Sequence, residues 1–410
     1  MADLEMLINK QKRQLRHIPV DFKRSLYDKI DWDYRLIEIY GARGTGKTTL
    51  MLQRVKQLLK QPDVRPVYVS ADEPYFFKNT LYDFAEQFYN QGGTHIFIDE
   101  IHRYPPKQEG YDWSAELKYI FDSFPDLHVV YSGSSVLQIF KGAGDLSRRK
   151  LSYNLPGLSF REFLKMKKIA DFPVLTLPQI LTDHEKIADQ ITENLRILQY
   201  FKEYLKTGYY PFFRVLKTRD AYFSQITQII NVIIENDITQ TLNMQFETQA
   251  KLKRLLSAIA TSPPYTSEIS KLSQLLGIKN YRVLLRLIDL LDRAELIKQL
   301  KQKAKGNKIL QKPDKIYLNN TNLMYALDFG GINIGSIRET FFLNQLSYKH
   351  TVHYPKTADF LADDRWLFEI GGKSKTKKQV AGKQDAFIAA DDIEIGFGNK
   401  IPLWLFGFLY

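Results

Sequence analysis

The chain has 410 residues, too long for one ordinary hydrophobic core, and reads as two to four units of roughly 100–200 residues each. Apolar residues make up 44% and charged residues 25%, which excludes a disordered or fibrous chain; the absence of cysteine excludes disulfides, thiolate metal sites and thiol nucleophiles and fits a reducing interior. Lys and Arg number 58 against 46 acids, and the net charge of +12 suits a polyanion such as nucleic acid or simply a basic surface.

Residues 1–33, which begin "MADLEMLINKQKRQLRH", are charged and read as helical, with Pro19 as a break. They contain no continuous apolar stretch, so they do not read as a secretory signal. From Leu36 onward short apolar runs ("LIEIY", "PVYVSAD", "HIFIDE", "LHVVYSGSS") alternate with amphipathic pieces. That alternation predicts an α/β unit, a parallel sheet covered by helices.

The first run leads into "GARGTGKTT", from Gly41 to Thr49. Glycines here let backbone N–H groups curl around phosphates, and the helix that starts near Lys47 adds its positive N-terminal dipole. Gly41, Ala42, Arg43, Gly44, Thr45, Gly46, Lys47, Thr48 and Thr49 are the candidate nucleotide-binding residues, with Lys47 on the β- and γ-phosphates and the Thr48 hydroxyl on Mg²⁺. "PVYVSAD" gives one extra strand between this loop and the next motif. "EPYFFKNTLYDFAEQFY" has the helical spacing of packing residues, with Asp72 as candidate N-cap.

"HIFIDE" reads as a buried strand ending at the ligand edge of the sheet. Asp99 is the second candidate metal ligand and Glu100 the candidate general base; the bland alternative is that the pair caps the next turn. Two carboxylates at this place separate a water-activating NTPase from a small-molecule kinase. An amphipathic helix, "SAELKYIFDSFP", and a strand ending in Ser132, Ser134 and Ser135 follow; a plain Ser-Gly turn competes with a hydroxyl placed beside the γ-phosphate. "GDLSRRK" offers Arg148 and Arg149 as arginine fingers or as solvated surface.

After "LSFREFL" the strands stop. "DHEKIADQITENLRILQYFKEYLKTG" reads as helical with Gly208 as its C-cap, and "SEISKLSQLLGI" and "NYRVLLRLIDLLDRAELI" read as two helices around a tight turn at Gly277. Two short strands surround "KQKAKGNK", and from about Asn319 one helix mixes with several strands. The last apolar run, "IPLWLFGFLY", is half the length needed to span a bilayer and reads as a buried strand. The expectation is a soluble, cytoplasmic protein with no membrane partner.

Taken in order, "YGARGTGKTTL", "VYVSADEP", "IFIDEIHRYP", "YSGSS", "LSRRK" and "LSFREFL", with "YLKTGYYPFFRV", "KIYLNNTNLMYAL" and "FEIGGKSK" after them, resemble the prokaryotic AAA-like ATPases that carry a characteristic C-terminal domain of unknown function, relatives of the archaeal and STAND ATPases. The resemblance spans nearly the whole chain. It implies a P-loop NTPase core of the additional-strand, catalytic-glutamate type at 34–165, after the helical segment 1–33. A helical region at 166–245, a winged-helix module at 246–318 and a small α+β, restriction-nuclease-like domain at 319–410 would follow. It also implies ATP, since no adenine pocket is legible here, Ser134 at the polar sensor position, Arg149 as the acting arginine, and Arg43 as a recurrent loop arginine.

On its own chemistry the segment Ser267–Leu291 is a helix–turn–helix. Asn280, Tyr281, Arg282 and Arg286 can touch phosphates or base edges, and Lys298, Lys301, Lys303, Lys305 and Lys308 decorate a wing. Double-stranded DNA is the candidate partner, against packing or protein contact with a solvated lysine edge. A restriction-type site needs carboxylates and a lysine; Glu339, Asp359 and Glu369 are available, but Gly371 stands where the lysine belongs. Lys373 returns to the right face only if the strand continues, and the Gly-Gly pair suits a turn as well. A relic used for binding or assembly is the favoured reading. The histidines show no metal-ligand spacing, and His95 and His102 read as structural.

Three functions follow: an Mg²⁺-dependent ATPase used as a conformational switch, slow if a homo-oligomer or protein partner must supply the arginine; a DNA-binding regulator with ATP as a structural ligand; or an ATP-gated nuclease. Salt-dependent DNA affinity marks the second, and Mg²⁺-dependent nicking lost in Glu369→Ala marks the third.

Overall fold

The computed structural model describes residues 2–105, 112–135, 145–238, 246–261, 264–266, 269–303, 312–328, 331–376 and 385–410. The chain divides into two compact units, one over Met1–Pro156 and the other over Gly157–Thr239 and Met244–Tyr410.

In the first unit helix α1 (Ala2–Arg16) precedes strand β1 (Leu36–Gly41), and helix α2 (Lys47–Leu58) and strand β2 (Pro66–Ser70) follow. Next come α3 (Tyr75–Lys78), α4 (Leu81–Asn90), β3 (His95–Asp99), α5 (Trp113–Ser123), β4 (His128–Ser134) and β5 (Leu151–Asn154). The strands form one sheet in the order β2-β3-β4-β1-β5, and every pairing is parallel. A parallel sheet is buried on both faces, which is why its strands read as apolar runs. Alternation along β1 sends Ile37 and Ile39 to the side of α2, with Leu50, Met51 and Val55, and Leu36 to the side of α4 and α5, with Phe84 and Leu117.

The sheet order fits the additional-strand core. β2, the run between the two motifs in the chain, lies at the sheet edge; β4 takes the place between β1 and β3. The aromatic segment after β2 is two helices rather than one. Thr80 accepts from the Asp83 N–H while Asp83 caps the Thr80 N–H, so a new helix starts there. Asp72 therefore caps nothing; it accepts from Ser70 Oγ at 2.6 Å and pairs with Arg103 at 3.5 Å.

The second unit begins with helices α6 (Phe160–Met166), α7 (Leu177–Thr192), α8 (Ile197–Thr207) and α9 (Arg219–Val232), the last running into a wider turn over Ile233–Ile238. Gly208 caps α8, and the segment expected as one helix is broken between α7 and α8. Helices α10 (Phe246–Ala260), α11 (Ile269–Leu275) and α12 (Tyr281–Arg293) precede the antiparallel pair β6 (Ile297–Leu300) and β7 (Lys315–Leu318). Gly277 takes the expected left-handed φ of +64°. Helices α13 (Thr321–Ala326) and α14 (Ile334–Leu346) lead to a sheet of order β12-β11-β10-β9-β8, from β8 (Val352–His353), β9 (Phe360–Ala362), β10 (Trp366–Gly371), β11 (Ala386–Ala390) and β12 (Lys400–Pro402). In it β8, β9 and β10 pair antiparallel and β10, β11 and β12 parallel.

The final run is not a strand. Only Lys400–Pro402 pairs in the sheet, and Leu403–Phe408 turns as a 3₁₀ helix, wholly buried. A run buried on all sides has no alternation by which to tell a strand from a helical turn. Asn322 of α13 joins two of the quoted motifs: its amide donates to the Leu205 carbonyl at 2.9 Å and accepts from the Tyr209 N–H at 2.8 Å and the Tyr222 hydroxyl at 2.6 Å. These motifs hold the unit together by satisfying the open carbonyl end of α8.

Candidate nucleotide site

The site lies where β1 ends. Gly41 has φ +153°, and a Cβ there would stand 2.3 Å from the Leu155 carbonyl oxygen, so this position excludes a side chain. Gly44 and Gly46 have φ of +85° and +98°, the left-handed values that let the loop turn back on itself before α2 begins at Lys47. Thr45 Oγ1 donates to the Ala42 carbonyl at 2.9 Å, and the Lys47 ammonium donates to the carbonyls of Gly41 and Ala42 at 2.8 and 2.9 Å. Arg24, buried in the segment before β1, donates to the Thr45 carbonyl and to the Pro156 carbonyl, each at 2.8 Å. Arg24, which sequence reading did not single out, thus ties the middle of the loop to the segment that follows β5.

Asp99 stands at the end of β3, facing α2. Its Oδ2 accepts from Thr48 Oγ1 at 2.5 Å and from the Tyr68 hydroxyl at 2.7 Å, and its Oδ1 accepts from Ser132 Oγ. Burial and the Asp99 charge push the Tyr68 phenol far above its ordinary range, so it stays protonated and a donor. Thr48 and Asp99 present hard oxygen atoms next to each other at a helix N-terminus, a donor set that fits Mg²⁺. Tyr68 and Ser132 orient that carboxylate. Tyr68 carried a signal in the sequence, a polar tip in an otherwise aliphatic run, but only strand pairing makes it a neighbour of Asp99.

Glu100 is the next residue and takes φ +50°, ψ +46°, a left-handed conformation costing a non-glycine residue roughly 1–2 kcal/mol. Its N–H donates to Asp99 Oδ1 at 3.1 Å and to Ser132 Oγ at 3.2 Å, and these bonds hold the strained turn. Its carboxylate pairs with Arg43 at 3.2 Å and with Arg103 at 2.8 Å. Ser132 and Ser134 lie two apart on β4, on the face that holds Val130 against α2. Ser134 is paired in register with Gly41, and its buried hydroxyl has no partner among the described residues.

Lys47, Thr48, Asp99, Glu100, Ser134 and the loop 41–49 are therefore brought to one sheet edge. Arg149 is not. It lies just before Leu151, which pairs with Ile37 at the opposite end of β1, about 13 Å of strand from Gly41 at roughly 3.3 Å per residue. There it forms a fork on Asp122 at 3.0 and 3.1 Å. Arg148 beside it is exposed.

In the second unit Asn280 caps α12, accepting from the Arg282 N–H at 2.9 Å, so it is committed to the helix and not to a ligand. Arg282, Arg286 and Tyr281 are exposed on α12. A groove of about 630 Å³ beside them is lined by Ser270, Ser273, Gly277, Lys279, Tyr281 and Lys312, among others. Lys305 and Lys308 lie outside the described residues.

The three carboxylates Glu339, Asp359 and Glu369 do converge. Lys315 stands 3.6 Å from Glu339 and 3.7 Å from Asp359, Tyr317 donates to Glu339 at 2.6 Å, and, after burial, the Asp359 charge acts on both glutamates, raising their pKa. The lysine beside Glu369 is Lys375, at 2.9 Å, and not Lys373, because the strand stops at Gly371 and Lys373 sits in the turn beyond it. Burial raises the pKa of both Glu339 and Glu369. His95 was read as structural, and it stacks on His128 with ring centroids 4.6 Å apart; burial and then the neighbouring imidazole lower its pKa to about 4.

Residues 33–164 match a family described as an AAA domain, and residues 198–335 match a domain of unknown function, DUF8612. No curated protein matches the sequence. Among solved structures, AMPPCP-bound DnaA from Aquifex aeolicus is 15% identical with a TM-score of 0.29, over 65% of this chain and 84% of that one. Aeropyrum pernix ORC1 in complex with DNA is 14% identical at 0.29, over 78% and 91%. A RuvB mutant from Thermotoga maritima is 14% identical at 0.30, over 72% and 89%. Likenesses this distant carry no argument about function. Among the described residues no helix is long and apolar enough to cross a membrane. The chain thus carries, in its first unit, a parallel-sheet α/β segment that matches an AAA domain, and in its second a segment that matches a domain of unknown function.

Proposed function

We propose that the chain is an Mg²⁺-dependent ATPase whose nucleotide state is a conformational switch for the module formed by α10–α12, β6 and β7. The observation that carries this reading is the 2.5 Å hydrogen bond from Thr48, on the loop helix, to Asp99, with Lys47 and Glu100 at the same sheet edge. Loop N–H groups and Lys47 would bind the phosphates, and Thr48 and Asp99 would hold Mg²⁺, which when bound neutralises phosphate charge. Glu100 would accept the proton of the attacking water, and Ser134 would donate to the γ-phosphate or to that water. Arg149 lies by the far end of β1 from its own loop and is paired with Asp122, which supports an arginine supplied to another copy or by a partner. The test is phosphate release by wild type and Glu100→Gln over a range of protein concentrations, with and without duplex DNA. Glu100→Gln should lower turnover by about 10²–10⁴-fold. A rise with protein concentration alone would mark a trans arginine, and wild type that binds ATP without turnover would sink the reading.

A second reading, a DNA-binding module of winged-helix type, is favoured by the exposed Arg282 and Arg286 beside the groove that holds Lys279 and Lys312. Removing either arginine should weaken duplex binding about equally across sequences and reduce the salt slope by about 1. For the carboxylates around Lys315, charge is largely balanced by Lys315 and Lys375, which supports a structural role over an Mg²⁺-dependent nuclease site.

A further inference from the structure

Both oxygens of Glu100 are occupied by guanidinium groups. Arg103 takes Oε2 at 2.8 Å and Arg43 takes Oε1 at 3.2 Å. The two arginines differ in where they are anchored. Arg103 is three residues beyond Glu100, in the same turn, and reaches on to Asp72 at 3.5 Å, so it travels with the glutamate. Arg43 belongs to the phosphate loop, between Gly41 and Gly44, whose backbone turns so that its N–H groups can surround an anion.

A guanidinium carried by a phosphate-binding loop is thus spent on the carboxylate proposed to activate water. While both of its oxygens are held in charge-assisted bonds, neither is turned to an attacking water. The planar guanidinium fork suits a phosphate as well as a carboxylate, and a terminal phosphate offers more negative charge and more acceptor oxygens. In the arrangement proposed above a triphosphate would carry a γ-phosphate past the β-phosphate, toward Glu100, and a diphosphate would not.

We propose that Arg43 reads the terminal phosphate of a nucleoside triphosphate, leaving Glu100 to bind it and so freeing Oε1 to face water. This rests on the ATPase reading above. Arg43 is then the residue that discriminates triphosphate from diphosphate, and Arg103 is a positioning residue that keeps Glu100 in place through the exchange. Competition between Glu100 and the phosphate for one guanidinium has a measurable consequence: removing the glutamate charge should strengthen triphosphate binding, and only while Arg43 is present.

Titration calorimetry on the full chain with Mg²⁺, using AMPPCP and ADP as probes, tests this in wild type, Glu100→Gln, Arg43→Ala and the double variant. Glu100→Gln should bind AMPPCP about tenfold more tightly and ADP equally. The gain should vanish in the double variant, and Arg43→Ala alone should lose affinity for AMPPCP but not for ADP. Arg43→Lys, which keeps the charge without the fork, should recover part of the preference. Arg103→Ala should keep the AMPPCP-to-ADP ratio and lose turnover. Equal shifts for both nucleotides in Glu100→Gln, or a gain that persists without Arg43, would overturn the proposal and leave the ATPase reading standing. Wild type that binds neither nucleotide would overturn the ATPase reading itself. Should Arg43→Ala melt early, Arg43→Lys and Glu100→Gln still decide the question.

Discussion

Tyr68 spends its hydroxyl on a carboxylate that already has two other donors, Thr48 and Ser132. A hydroxyl in that position fixes the direction of the remaining lone pairs on Asp99, as outer partners of metal ligands do. Tyr68→Phe keeps the ring and its packing, so it should raise the Mg²⁺ concentration for half-maximal turnover by about tenfold or more. Nucleotide binding in the presence of a chelator should be unchanged. A Tyr68→Phe protein whose Mg²⁺ requirement matches wild type would show that Thr48 and Ser132 suffice. The loop residues proposed to meet the phosphates were legible in the sequence because backbone geometry dictates them: the φ values at 44 and 46 favour glycine. Tyr68, Arg24 and Arg103 were not legible, since each acts on a neighbour brought close by folding.

At the scale of the element, β1 carries a charge in the middle of a buried strand. Glu38 is 2% exposed and accepts from Lys150 at 2.8 Å, from Ser152 at 2.7 Å and from Tyr131 at 3.3 Å. Its partners come from β4, from β5 and from the residue just before β5, on either side of β1. Lys150→Met would remove a counter-charge from the buried carboxylate and should cost about 3 kcal/mol, read as a lower denaturant midpoint at unchanged slope. Combining it with Glu38→Leu should recover most of that loss. If Lys150→Met is neutral, the charge of Lys150 is not what holds Glu38. The helix signals were partly legible: aromatic spacing runs unbroken from α3 into α4, while the capping box at Thr80 separates the two helices. Aromatic spacing dominated the reading there, and it does not mark helix ends.

The whole molecule should respond to acid in opposite senses in its two units. In the first, burial holds His95 at about 4, below its ordinary 6.5, so the unfolded chain binds the extra proton between those values. Stability is therefore lost as pH falls from 6.5 to about 4, at up to roughly 1.4 kcal/mol per pH unit. In the second, Glu339 and Glu369 have raised pKa values, so ionising them costs stability above those values, and the cost is relieved as pH falls through them toward the unfolded carboxylate. Hydrogen exchange corrected for intrinsic rates should show β3 and β4 losing protection from pH 7 to 5 while β9 and β10 hold or gain it. His95→Asn should flatten the first trend. Protection that falls equally in both units would refute the opposition.

What the sequence determined by itself is local: the glycine loop, the strand-to-carboxylate step at Asp99 and Glu100, and the left-handed turn at Gly277 all follow from residue types at short range. Backbone conformation and period need nothing beyond a few neighbouring residues. Tertiary structure alone decided that β4 lies between β1 and β3, which sets Ser132 on Asp99 and Ser134 beside Gly41. It alone put Arg149 by the far end of β1 from its own loop and Lys375, not Lys373, on Glu369. Strand order and side-chain pairing depend on contacts between residues distant in the chain, and no local pattern encodes those.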